Sequence, residues 1–162
     1  MTQPAATTET YAGFWIRVGA SLIDVLLWAV IGVPMLLAVY GRQYFASDDF
    51  FVIYGSVDFL VSWVFPSLAT ILFWIYKGAT PGKMAVHARI VDARTGQHAS
   101  TGQYVGRYFA YFVSLLPLGL GYLWVALDAR KQGWHDKLAG TVVVRRRRTV
   151  GDVATFETPA SR

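Results

Sequence analysis

The sequence contains no cysteine. That excludes a disulfide framework, a thiolate metal site and a catalytic thiol, and it leaves the redox compartment unread. Charge is scarce as well: Asp, Glu, Lys and Arg make up 15% of the 162 residues, against 54% hydrophobic ones. A disordered chain is excluded and an ordinary soluble domain disfavoured. Carboxylates are the rarer sign, with 10 Asp and Glu against 15 Lys and Arg, and the net charge of +5 gathers in two segments. Residues 1–13 hold no Lys or Arg, and the apolar run after them is far longer than a secretory signal core. It reads as a retained membrane helix. His87, His98 and His135 lack metal-ligand spacing, so neither a metal nor a cofactor is expected. The Gly78–Met84 stretch looks superficially like a phosphate loop. It fails because that motif needs four residues between its glycines and a Ser or Thr after its lysine. No nucleophile–base pair is present either, and the sequence points to no enzyme.

What is present is apolar runs. The first, Phe14 to Val39, carries Pro34 beside Gly32 and two charges, Arg17 and Asp24. Seven residues are nearly two helical turns, so both charges share a face, roughly 10 Å apart along the axis. The second runs from about Phe50 to Tyr76, with Asp58 and Pro66 inside it. Both exceed the roughly 20 residues that span a hydrocarbon core. Tyr and Trp residues mark their ends, as expected of apolar rings with a polar handle. Residues 77–107 are polar and basic. Val86–Val91 has strand character there, ahead of a turn at Asp92–Gly96, so a small β element on the membrane surface is expected. The third run, Tyr108–Leu127, contains Pro117, Gly119 and Gly121, and Thr141–Val144 after it reads as a second strand. Residues 1–10 and 149–162 read as disordered tails around one domain, residues 11–148.

Orientation is contradictory if the third run is a simple span. The 77–107 segment carries Lys77, Lys83, Arg89, Arg94 and Arg107, whereas Arg42 stands alone in the first loop. The positive-inside rule then puts the N-terminus and the 77–107 segment in the cytoplasm. A third full crossing would leave residues 128–148, the densest positive stretch, outside. A re-entrant helical hairpin broken at Pro117-Leu-Gly119 removes the conflict and returns Thr141–Val144 to the side of Val86–Val91, where the strands can pair. The hairpin is preferred to a third span. Gly102, Gly106, Ala110 and Ser114 offer it a small-residue packing face.

The intramembrane charges are the candidate site. A carboxylate near the bilayer centre costs between about 2.5 and more than 10 kcal/mol, so a partner, water or a proton must compensate. Arg17 is expected near the cytoplasmic interface, within reach of Asp128 or Asp136, and Asp24 close to the midplane. Asp58 lies nearer the outer side, where water can reach it. One reading makes Asp24 a proton or cation carrier, since an apolar setting raises a carboxyl pKa. The other makes Arg17 and Asp24 a structural network joining helices. His135-Asp136 after Trp134 reads as an interfacial anchor, not a catalytic dyad. Arg145, Arg146, Arg147 and Arg148 are candidates for anionic lipid headgroups, at about 1 kcal/mol per residue. Nucleic acid is not an expected partner of so apolar a chain.

These residues carry a resemblance. Ala12-Gly-Phe-Trp-Ile-Arg17 with Leu22-Ile-Asp24, then Thr80-Pro-Gly-Lys83 leading to Arg89-Ile-Val-Asp92, then Leu127-Asp128 and Gly133–Val144, together resemble the RDD family of small bacterial membrane proteins. Arg17 and Asp24 match the first two signature residues, and the other aspartate is Asp128 or Asp136, with Asp136 favoured. The sequence departs from the family at Met84-Ala-Val-His87-Ala, where a glycine usually stands near His87. The resemblance implies an all-α integral membrane protein of the bacterial inner membrane. It would have two long transmembrane helices, a third apolar segment as hairpin or span, and a small cytoplasmic β element. The N-terminus is expected in the cytoplasm and, on the hairpin reading, the C-terminus too. The resemblance permits a monovalent cation/proton exchanger moving Na⁺ or H⁺, and so short a chain would have to form a homo-oligomer to enclose a pathway. The alternative is a non-catalytic scaffold or accessory subunit.

Overall fold

The structure, a computed structural model, describes residues 7–45 and 53–148. The expectations for residues 1–6, for the loop acids Asp48 and Asp49, and for residues 149–162 lie outside that range. Strand β1 (Thr7–Tyr11) leads through Gly13 into helix α1 (Phe14–Tyr40). Its 27 residues span about 40 Å, and Pro34 lies inside it without ending it. Gly41, at φ 72°, ends α1, and a 3₁₀ turn follows at Arg42–Phe45.

Helix α2 (Ser56–Lys77) is one helix with a single π-helical turn at Leu60–Val64. It begins later than the apolar run suggests, because Gly55 holds a φ of 156° that a helix does not admit. Gly78, in the left-handed region, stops α2, and the Gly78 carbonyl accepts the Ile90 N–H at 2.7 Å. The end of α2 is thereby tied to the sheet. Helices α1 and α2 are both long and apolar enough to cross a membrane.

A five-residue helix α3 (Pro81–Ala85) and strand β2 (Ala88–Asp92) come next. The third apolar run is two helices, α4 (Thr101–Leu115) and α5 (Leu120–Leu127), bent by 101°. The bend falls on Pro117-Leu118-Gly119, with Leu118 at φ 53° and Gly119 at φ 78°. Helix α4 starts seven residues before the apolar run. Ser100 accepts the Gln103 N–H while Gln103 Oε1 accepts the Ser100 N–H, a capping box that begins the helix in polar sequence. Of the expected small-residue face, Ala110 and Ser114 are buried, whereas Gly102 and Gly106 are exposed.

A short helix α6 (Trp134–Leu138) precedes strand β3 (Thr141–Arg148). The sheet has the order β1-β3-β2 and is antiparallel throughout, with Ile90 opposite Val143 and Glu9 opposite Arg146. The pairing of the two expected strands is therefore present. The sheet is larger than expected in two respects. Residues 7–10, expected in a disordered tail, form a strand, because β3 runs on through its arginines and offers them a free edge. Burial concentrates where sheet and helices meet, around Ala12, Trp74, Ala88, Ile90, Tyr104 and Val143. The long helices instead expose Leu26, Val30 and Ile31 on α1 and Leu68 and Leu72 on α2.

Candidate functional site

Beneath the sheet, α1 meets the end of α2, α3 and the α4–α5 pair around a cavity of about 490 Å³. Arg17, Asp24, Trp74, Lys83, Arg107 and His135 line it. Behind the lining arginines lies Asp136, fully buried on α6. Asp136 is the third residue of that helix and accepts the Gly133 N–H at 2.9 Å, closing the helix start. Arg17 Nη1 reaches Oδ2 at 2.5 Å, and Arg107 Nη1 ion-pairs with Oδ1. Burial pushes the Asp136 carboxyl up, but the Arg107 and Arg17 guanidiniums pull it further down, to about 2.

Each arginine does more than pair. Arg17 Nε donates to the Ala12 carbonyl at 3.0 Å and Nη2 to the Lys131 carbonyl at 2.5 Å. It thus joins the start of α1 to the loop before α6. Arg107 Nη1 also donates to Thr141 Oγ1 at 2.9 Å, so α4 is fastened to β3. His135 is buried beside them, which corrects its reading as an interfacial anchor. Its ring packs against both Tyr111 and Tyr122, with centroids at 4.4 and 5.2 Å, and its Nδ1 is 3.1 Å from Ser114 Oγ. Burial and the nearby Arg107 charge hold its pKa at about 3, so the ring is neutral at pH 7. The 3.7 Å approach of Nε2 to Asp136 is therefore not an ion pair.

Asp24 is not bare. Its Oδ2 accepts from Thr80 Oγ1 at 2.6 Å and its Oδ1 from the Gly82 N–H at 2.7 Å. Both donors come from the turn that follows α2, so the polar layer reaches down α1 as far as Asp24. From there to Tyr40 is about 24 Å of helix. The contact needs Gly82, since a Cβ there would run into the Ala20 carbonyl oxygen.

The remaining candidates lie elsewhere. Asp128 pairs with Lys137 at 2.5 Å and accepts the Arg130 and Gln132 N–H groups, so Asp136 is the partner of Arg17. Asp58 sits towards the far end of α2 from the cavity. It is 3% exposed rather than open to water, and it accepts from Tyr44 Oη (2.6 Å), Ser62 Oγ (2.8 Å) and the Tyr54 N–H (3.0 Å). Arg145 to Arg148 are part of β3. Arg145 Nε donates to the Val86 carbonyl at 3.1 Å and Arg146 is exposed, while the side chains of Arg147 and Arg148 fall outside what is described. Arg107 and Lys83 are the site residues that sequence reasoning missed, having counted both only as loop charge. A signal existed for Arg107: Tyr104, Arg107, Ala110 and Ser114 recur at helical spacing and share the buried face of α4.

Comparison with known proteins agrees with the signature. The RDD family model matches residues 11–140. A Bacillus subtilis protein described as uncharacterized protein YxaI is 30% identical over 150 residues, covering 84% of this chain and 98% of its own. Uncharacterized membrane protein YteJ, also from Bacillus subtilis, is 29% identical over 145 residues, covering 85% and 82%. The proline-rich antigen of Mycobacterium leprae is 25% identical over 154 residues, covering 83% of this chain and 61% of its own. No solved structure matches the chain.

Proposed function

The chain belongs to the RDD family, and from that premise we propose that it is an integral membrane protein of the bacterial inner membrane. Its function on this reading is that of a non-catalytic module, a scaffold or accessory subunit, whose Arg–Asp networks lock the helices to a surface sheet. The membrane part is supported by two helices of spanning length, by their exposed apolar faces and by the description of the relative YteJ as a membrane protein. Sheet and termini lie on the cytoplasmic side, in keeping with the basic segments there. The observation that carries the structural reading is Asp136, fully buried and saturated by Arg17, Arg107 and the Gly133 N–H. A carboxylate held between two guanidiniums is a fastener, because releasing either partner would strand a buried charge.

Cation/proton exchange is the second reading, and one observation favours it: Asp24 lines the cavity. Against it, Arg17, Lys83 and Arg107 line that cavity beside Asp24; even with Asp136 pairing two of them from behind, the charge is positive, and such a surplus repels a cation. The two readings separate in proteoliposomes. The wild-type chain should carry no more Na⁺ against a pH gradient than protein-free liposomes, and Asp24→Asn should lower the yield of folded, detergent-extractable protein. Wild-type flux that Asp24→Asn abolishes would install exchange instead.

A further inference from the structure

We propose that the cavity beneath the sheet is a binding site for a phosphate-class oxyanion, with Lys83 as its principal contact and Arg107 and Trp74 as further donors. This goes beyond the scaffold reading and shares with it only the membrane placement.

The cavity has donors left over. Lys83 is 7% exposed, and among the described residues it makes no hydrogen bond or ion pair. Tyr111 and Asp24 act on its charge without a hydrogen bond to it, and its Nζ lies 5.8 Å from the centroid of the Trp74 ring. Trp74 Nε1 and Arg107 Nε are also buried without a hydrogen-bond acceptor among the described residues. All three side chains line the same cavity, and the Arg107 guanidinium lies 5.5 Å from the same Trp74 ring. Buried donors normally find acceptors, and an ammonium without one is costlier still. The local carboxylates are engaged by other groups. Asp136 is taken by two arginines, and Asp24 by Thr80 and Gly82. Burial accordingly pushes the Lys83 pKa down. An anion with several oxygens can accept from a lysine, a guanidinium and an indole at once.

The mouth of the cavity suggests where that anion comes from. Leu22 and Val25 line it and are 58% and 60% exposed on the apolar surface of α1, so the cavity opens among membrane-facing side chains. A phosphate carried on a lipid could enter there with its chains against α1, and a free phosphate would use the same donors.

The test uses the full-length chain in detergent, with native mass spectrometry reading lipid bound at increasing phosphatidylglycerol or phosphatidylcholine, and calorimetry reading inorganic phosphate. Phosphatidylglycerol should bind at one copy per chain and better than phosphatidylcholine. Lys83→Met should weaken it about tenfold, the loss of one charge-assisted hydrogen bond, whereas Arg94→Gln, on the exposed turn after β2, should leave it unchanged. Inorganic phosphate binding that is also lost in Lys83→Met assigns a free-anion site, and binding of phosphatidylglycerol alone assigns a lipid site. Should Lys83→Met not fold, the wild-type chain answers by amine-reactive labelling. Phosphatidylglycerol or phosphate should protect Lys83 in peptide mass spectra, and phosphatidylcholine should not. Equal binding of the two lipids with no phosphate binding, or a labelling rate indifferent to either anion, overturns the proposal. Neither result bears on Na⁺ flux, so this site and the scaffold reading fail separately.

Discussion

At the scale of single residues, Asp136 and His135 sit side by side and respond to acid in different windows. Asp136 has a folded pKa of about 2, below its unfolded value, so its stabilisation is complete at neutral pH and is lost as pH falls from about 4 to about 2. His135 acts earlier. Its imidazole takes a proton near pH 6.5 when unfolded but resists to about 3 when folded, so the unfolded chain gains protons across that interval. Stability should fall there by about 1.4 kcal/mol per pH unit. Thermal unfolding in detergent from pH 7 to 4 checks this, and His135→Asn should flatten the slope whatever it does to the plateau. Removing the acid is harsher. Asp136→Asn leaves Arg17 and Arg107 buried around a neutral amide and should cost about 3–5 kcal/mol at pH 7. A loss under 1 kcal/mol would mean the guanidiniums find other acceptors. His87 is a milder case. It holds a φ of 57° just after α3. Relief of that strain should make His87→Gly more stable by about 1 kcal/mol, measured in the same assay.

Among elements, the decisive contact is α3 on α1. Gly82 lets the turn after α2 settle on the Ala20 carbonyl while its N–H and the Thr80 hydroxyl satisfy Asp24. Gly82→Ala must push α3 away and break both bonds, with an expected loss of about 1–2 kcal/mol, since a half-buried carboxylate is then left short of donors. Gly96→Ala tests a different penalty, for Gly96 has open space around it but a φ of 70°, and should cost only about 1 kcal/mol. The contrast shows what a sequence can and cannot carry. Hydropathy and length reveal α1 and α2, and Pro117-Leu-Gly119 marks the bend, because each is a local property of consecutive residues. The partners of Asp24 stand 56 and 58 positions away, and no periodicity within α1 could announce them. Arg107 was hidden by its setting, the last charge of a basic segment that is in fact the second turn of an amphipathic helix. Strand β1 was hidden too, since Thr7–Tyr11 becomes a strand only because β3 extends through Arg148 to receive it.

For the whole molecule, the sheet constrains the path through the bilayer. Strand β1 precedes α1, β2 follows α2, and β3 follows the α4–α5 pair, yet all three are hydrogen-bonded neighbours. A sheet of that size lies on one side of a membrane. In the proposed membrane placement the chain would go out along α1 and return along α2 between β1 and β2. Between β2 and β3 it would then end where it began, with α4 and α5 entering and leaving by the same face, in accord with their 101° bend. One full crossing by that pair would put β3 on the opposite side from β2 and break five register pairs, Ala88 with Arg145 through Asp92 with Thr141. The same closure gathers the Lys and Arg of residues 77–107 and 128–148 on one side, as the positive-inside rule requires. A reporter active only outside the cytoplasm, fused after Arg148, should therefore be silent, and the same reporter inserted between α1 and α2 should be active. Activity after Arg148 would separate β3 from β2 across the bilayer. It would also remove Asp136 from Arg17, since α6 and β3 follow the pair together, so this one assay tests the topology and the geometry of the buried site at once.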